Sequence, residues 1–551
     1  MKKYLFIIAA LLLLLPGCKK ENGSNDTPLN VNFTISPDKI FAGDAVSFTA
    51  QVTGGKTPYS YEWTIRGEVQ THKDATVNYT FKTNGSEIVL LKVKDAAGAT
   101  AEKKKAVVIN AAKIPEKGTL VLNWVGRMGG YNSISCPAIA DDGSIYTTCR
   151  DNKLYKWSAS GSSVWVKNIF TPSANSASVT YGTPVIDTDG TIFISGGDRL
   201  NDSKNAGDGT LKAFNADGTE KWNFTQWWRS SGTPAPSCQG AMVAIDGANI
   251  YFGHTGQNGI VASINKATGA RNGFCAPTGG AYSGIVISKA GTLHWYGGEY
   301  GLFGIEKSSL DMGGADKQNH KWRIFNQGAE QATIAAKSLL ACLTVNGNAC
   351  VAGIATDSKG TKVYVADAAS GAVVSTCYID DTDSQDQGGV VVDKQGNLVA
   401  SLNYTLGQDN GGVIIVNPAN GNVVSRFRTQ EKVSGAPAVD KAGNIHFGTE
   451  SGYYYIVKPD GDNCELLVKR NLANLVLADS RYASDFASLY TAKIWCSPVI
   501  GDDGKIYICF TDEDTRLFGG VVCLSFDGCT GPADSEWPMA GHDRRHTGKQ
   551  L

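Results

Sequence analysis

The chain has 551 residues, 64 of them glycine, and its 51 lysines and arginines nearly balance 52 aspartates and glutamates. That length exceeds one ordinary domain, and the glycine content marks a turn-rich β chain rather than a low-complexity one. A formal charge of −1 sets up no field that would steer the protein to nucleic acid or to an anionic membrane surface.

Met1-Lys-Lys is a positive start, and Tyr4 to Leu15 is an apolar run too short to span a bilayer, which together read as a secretory signal. The run ends Leu15-Pro-Gly-Cys18, which resembles the lipobox of bacterial lipoproteins. The resemblance implies that residues 1–17 are removed and that Cys18 is acylated as the mature N-terminus. Lys19-Lys-Glu21 is similar to the charged signal that sends some Gram-negative lipoproteins to the outer face of the outer membrane. The expected location is therefore the outer membrane, cell-surface exposed, with membrane contact through the lipid anchor only. Residues 18–29, rich in Asn, Ser, Asp and Gly, hold too little apolar surface to fold and read as a flexible tether.

Residues 30–110 alternate apolar and polar positions over short runs: Val31, Phe33 and Ile35, then 45–50, 59–63, 77–81 and 87–93. Period two between turn residues predicts an antiparallel sandwich. Ala42-Gly-Asp44, Tyr61-Glu-Trp63, Tyr79-Thr-Phe81 and Val93-Lys-Asp-Ala-Ala-Gly98 resemble a PKD domain, an Ig-like module, which makes Trp63 a core residue between two sheets. The chain departs from that family at Thr64-Ile-Arg-Gly67, where a Gly-Asp-Gly turn is usual, so any function of that turn is in doubt. Residues 111–117, with Pro115, read as a linker.

Residues 118–551 carry a repeat. Cys136-Pro-Ala-Ile-Ala-Asp-Asp-Gly-Ser-Ile-Tyr146 returns at Thr183 to Phe193, Ala436 to His446 and Ser497 to Tyr507. Each copy is an apolar strand, a Gly-containing turn and a second apolar strand, followed by another hairpin such as Lys153 to Trp165. Four strands per unit make a propeller blade. Hairpin pairs with Asp-Gly or Thr-Gly turns and a closing Trp resemble the PQQ-like β-propeller family. Weaker units near Ala241, Ser283, Leu339 and Gly388 bring the count to eight, with seven as the alternative. The predicted fold is thus all-β: an Ig-like sandwich followed by a β-propeller. Gly118 to Trp124 reads as a strand with no preceding partner, and the last unit lacks an obvious fourth strand, so the N-terminal strand is predicted to complete the last blade. Glu536 to Gly548 is expected to pack across that closure.

Within a blade the A–B and C–D turns share one face, kept tight by Asp-Gly and Asn-Gly pairs. The B–C loops and blade-to-blade links share the other, and long loops on a rigid scaffold are where binding resides. Among them Trp227, Trp228 and Arg229 are candidate ligand-binding residues, since adjacent Trp side chains in a loop are hard to bury together. The alternative is that one of them fills the channel or a seam. Arg481, Tyr482 and Tyr490, in a long link predicted to contain a short helix, are candidates for the same site.

Enzymes of the PQQ-like family use a quinone with a vicinal Cys pair and a calcium ion, and this chain has no adjacent Cys-Cys. No cofactor and no metal are expected. His542 and His546 are four apart without a matching Glu, and Asp380, Asp381, Asp383 and Asp386 lack the spacing of a dedicated calcium loop. Three cysteine pairs straddle hairpin turns: Cys136 with Cys149, Cys342 with Cys350, and Cys496 with Cys509. In an exported protein this predicts cross-strand disulfides in some of them, the alternative being small buried thiols. The features favour a non-enzymatic binding or scaffolding protein for a glycan or protein partner. A polysaccharide lyase or hydrolase and a periplasmic outer-membrane assembly factor are the alternatives.

Overall fold

The computed structural model describes residues 27–551 except 42–43, 72, 82–84, 111–117, 131–134, 170–177, 180–181, 196, 199–210, 225–241, 254–260, 276–282, 298–300, 312–316, 319, 325–337, 358, 380–387 and 405–409. The chain divides into two compact units, Met1–Pro115 and Glu116–Leu551. Among the described residues no helix is long and apolar enough to cross a membrane.

The first unit is a two-sheet sandwich. One sheet orders Asn30–Ser36, Ala45–Thr53 and Thr76–Thr80; the other contains Thr100–Asn110, Gly85–Lys94 and Ser60–Ile65, with two short edge strands. Alternation aims Phe33, Phe48, Ile65, Val89 and Leu91 inward around Trp63, all fully buried. Trp63 meets Phe33 edge-on at 5.3 Å, and its indole N–H donates to the Asp74 carbonyl at 3.1 Å, so the large apolar ring is buried without orphaning its one donor.

Among the described residues the second unit is a propeller of eight blades, each built on four strands with a fifth short strand on two of them, as the repeat predicts. Inner strands begin at Ala138, Val185, Ala244, Val286, Ala341, Gly389, Ala438 and Val499 for blades 1 to 8. Arg426 makes one parallel pair with Asn463, joining blades 6 and 7 into a continuous sheet. The ring closes as expected: Leu120–Met128 pairs antiparallel with Gly519–Phe526 and becomes the outer strand of blade 8. An edge that would otherwise template aggregation is thereby paired.

Seams between blades are sealed where an outer-strand Trp meets the C–D turn of the next blade. Trp124, Trp222 and Trp322 donate their indole N–H groups to the carbonyls of Ala159, Lys266 and Ala368 at 3.0, 2.9 and 3.1 Å. Each ring lies over a turn glycine; a Cβ on Gly161 (φ +88°) would sit 2.5 Å from the Trp124 ring. Glycine is needed there for the turn conformation and for the close approach alike.

The predicted disulfides are not formed: Cys136, Cys149, Cys342, Cys350, Cys496 and Cys509 are all buried free thiols. The reason is register. Cys342 stands opposite Val351, and Cys350 opposite Leu343. Cys342 and Cys350 are one residue out of register, and a one-residue offset sends two side chains to opposite sides of the sheet, while the Cys496 thiol donates to the Cys509 carbonyl at 3.2 Å instead.

Candidate functional site

The turn face is occupied by the chain's own C-terminal tail. Inner-strand N–H groups of Ile139, Ile186, Ile245, Ile287, Val392 and Val439 donate to the carbonyls of Arg544, Arg545, Thr547, Gly548, Trp537 and Pro538. Glu536 reaches the fifth blade through the Thr344 N–H and hydroxyl, each at 2.6 Å, and Arg544 reaches the eighth through Asp502 at 2.9 Å. The tail therefore touches all eight blades, a wider circuit than the closure alone. Its charges answer the turns: Arg544 pairs with Asp141 (2.7 Å) as well as Asp502, Arg545 with Asp141 (3.5 Å), and Lys549 with Asp246 (2.6 Å).

His542 and His546 belong to this tail. His546 is fully buried, with Nδ1 facing the Ala540 carbonyl at 2.8 Å and Nε2 the Pro137 carbonyl at 2.9 Å. Burial lowers the pKa of the ring and favours its neutral form, so one nitrogen donates to a backbone oxygen while the other faces the second, which is a structural role.

The loop face is described most completely in blades 7 and 8. Strands entering and leaving it hold a network of ion pairs. Glu431, in the link between blades 6 and 7, accepts from Lys469 at 2.9 Å and from the Tyr455 hydroxyl at 2.7 Å. The Lys469 ammonium also lies 4.6 Å from the centre of the Tyr453 ring. Lys493, in the next link, bridges Glu450 (3.0 Å) and Glu513 (3.7 Å) and stands 4.2 Å from the Trp495 ring. Burial works against the charged form of Glu450, but donation from Ser434, Lys493 and Trp495 prevails and holds its carboxyl below the ordinary value. Glu513 also takes Arg516 at 2.7 Å.

Beside this network two large apolar side chains stand in solvent, Tyr490 at 75% and Leu517 at 72% exposure. Their loops are tied together: the Thr491 N–H donates to Asp514 at 2.8 Å and the Glu513 N–H to the Thr491 carbonyl at 3.1 Å. An aromatic and an aliphatic anchor on mutually braced loops, rimmed by fixed charges, is the anatomy of an interaction surface.

Of the sequence candidates, Cys18, Trp227, Trp228 and Arg229 lie outside the described residues. The short helix expected in the long link is Leu472–Leu477, capped by the Asn471 side chain on the Asn474 N–H. Beyond it Arg481 is spent on Asp479 at 2.6 Å and packs its guanidinium 5.0 Å from the Tyr482 ring centre. Tyr482 is half-buried against the propeller core. Of these three, Tyr490 presents the most open side chain. Leu517 and the Glu450, Lys493, Glu513, Arg516 network were not anticipated, because single charged residues in separate loops carry no spacing signal.

The family described as outer membrane protein assembly factor BamB matches residues 121–273 of this chain. No curated protein matches it. Among solved structures, a europium-containing methanol dehydrogenase is similar at 13% identity and a TM-score of 0.52, covering 74% of this chain and 93% of the enzyme. A quinohemoprotein alcohol dehydrogenase from Pseudomonas putida is similar at 14% identity and a TM-score of 0.52, covering 76% of this chain and 78% of the enzyme. BamB from Moraxella catarrhalis matches at 13% identity and a TM-score of 0.47, covering 74% of this chain and 98% of its own. The two dehydrogenase likenesses show the propeller fold alone.

Proposed function

We propose that the protein is a non-enzymatic binding or scaffolding protein, lipid-anchored through Cys18 to the outer membrane, whose loop face holds a protein partner. The observation that carries this reading is the Tyr490 and Leu517 pair, exposed on braced loops beside a fixed charge network, while the opposite face is occupied by the tail. In this reading the PKD-like sandwich is a spacer between anchor and propeller. The match to an outer-membrane assembly factor favours a protein partner over a glycan, and it keeps a periplasmic assembly role as the second reading. The dehydrogenase likenesses lend no quinone chemistry: none of the 13 cysteines adjoins another in sequence, and the thiols of Cys136 and Cys496, which do meet, come from different blades.

The test is site-specific photocrosslinking in intact cells, with the reactive group at Tyr490 or Leu517 on one face and at Asp502 or Asp534 on the other. Discrete protein adducts confined to the loop-face positions are expected. Adducts of equal yield from both faces, or only from the turn face, overturn the assignment, and protease shaving of the same cells separates surface from periplasmic exposure.

A further inference from the structure

We propose that Asp440, His446 and Cys529 form a binding site for a zinc-like divalent metal ion that fastens the start of the C-terminal tail to blade 7. The three side chains come from three elements: the A–B turn, the second strand Ile445–Gly448, and the segment after Gly519–Phe526. One carboxylate oxygen, one imidazole nitrogen and one thiol sulfur lie within 4.8 Å of one another, all three residues buried. This mixed O, N and S donor set suits a borderline cation such as zinc rather than calcium or magnesium, which take oxygen ligands.

The surroundings meet the demands of such a site. A thiolate and a carboxylate with a neutral imidazole supply two negative charges, which a divalent ion cancels, so the loaded site buries no net charge. His446 Nδ1 faces the Tyr454 hydroxyl at 3.0 Å while Nε2 faces Asp440 Oδ2 at 3.1 Å. A proton on Nδ1 donated to Tyr454 frees Nε2 for the metal, the outer partner that a ligating histidine requires. Asp440 is held in place by the Asn444 N–H and side-chain amide, each at 2.8 Å. The Phe526 ring lies edge-on to His446 at 6.2 Å and walls the site.

Blade 4 provides an internal contrast. His294 stands opposite Val286 as His446 stands opposite Ala438, but the position of Asp440 is held by Ser288, and the polar neighbour of His294 is the Phe303 backbone rather than an acid. The same strand position thus becomes a donor cluster only where the turn supplies an acid and the tail a thiol.

The experiment uses the full mature chain, stripped with chelator and titrated with cobalt(II) as a spectroscopic probe. One equivalent is expected to bind with a near-ultraviolet sulfur-to-cobalt charge-transfer band, to be displaced by zinc, and to release one proton from the Cys529 thiol. Cys529→Ser removes the band and Tyr454→Phe weakens binding about tenfold; Cys464→Ser, elsewhere in blade 7, leaves both intact. Circular dichroism of the metal-free Cys529→Ser protein verifies folding, so the result does not depend on the harsher His446→Gln. Absence of stoichiometric binding by the folded parent, or a charge-transfer band that survives Cys529→Ser, overturns the proposal.

Discussion

The two faces of the propeller spend their charged residues differently. On the turn face, acids that recur with the repeat, Asp141, Asp246 and Asp502, are each matched to a cation of the tail, and six inner strands donate backbone hydrogen bonds to tail carbonyls. On the loop face, Glu431, Glu450 and Glu513 pair with Lys469, Lys493 and Arg516, and beside them Tyr490 and Leu517 remain uncovered. The first arrangement ties distant parts of one chain together. The second braces a surface without covering it, so the first should govern stability and the second binding.

The harshest way to break this comparison is to delete residues 536–551. Six inner-strand N–H groups lose their acceptors, and a buried donor left unmade costs about 1–3 kcal/mol. We expect the truncated protein to lose its cooperative thermal transition; a melting midpoint within about 5 °C of the parent would mean that the tail merely rests on the blades.

A smaller effect should follow from Arg544→Ala. Arg544 binds Asp141, Asp502 and the Ile139 carbonyl at 2.7, 2.9 and 2.9 Å. Hydrogen bonds between charged groups contribute about 1.5–3 kcal/mol, and an arginine fork is not replaced by a lysine point charge. Denaturant titration should show a loss of about 2–3 kcal/mol for Ala, with Lys recovering only part. Equal stability of all three proteins would remove electrostatics from the account of this face.

The pH dependence sharpens the same point beneath the turn face. Burial lowers the pKa of His294 to about 3 from 6.5, so the folded protein keeps this imidazole neutral while the unfolded chain protonates it below about pH 6.5. Between those values the unfolded state binds more protons, and stability falls as pH falls, by up to about 1.4 kcal/mol per unit. Above pH 6.5 this contribution is fully present. His294→Phe should flatten that limb of the pH and stability profile; an unchanged slope would assign acid lability to other groups.

How much of this was legible in the sequence follows from how local each signal is. The hairpin repeat, the eight blades and the closing strand all rest on patterns within about ten residues, and the observed pairing of Leu120–Met128 with Gly519–Phe526 matches the strand left over at each end. For Cys342 and Cys350 the disulfide expectation failed on a single residue of register, which turn symmetry alone does not fix. The tail was legible only as a segment packing across the closure and not as a circuit of all the blades, because most of its contacts are single hydrogen bonds to blades far away in sequence. Asp440, His446 and Cys529 likewise share no spacing; only the fold juxtaposes them. Tyr490 was legible as an aromatic in a long link, whereas Leu517 in an otherwise charged loop gave no sign that its neighbours would leave it in solvent.

The mildest change in stability and the sharpest in binding should come from Tyr490→Ala with Leu517→Ala. Both side chains are mostly exposed, and substitutions at such positions usually shift stability by less than about 0.5 kcal/mol each. At the centre of an interface the same truncations cost about 2 kcal/mol or more apiece, close to thirtyfold in affinity. The double variant should therefore melt with the parent while crosslinks from a reactive group at the neighbouring exposed Ser488 vanish. If it melts with the parent and crosslinks undiminished, the anchors lie elsewhere on that face, and Trp227 and Trp228 become the next residues to change. If it unfolds, the division of labour between the two faces is itself wrong, since a braced but uncovered surface would then be holding the ring together.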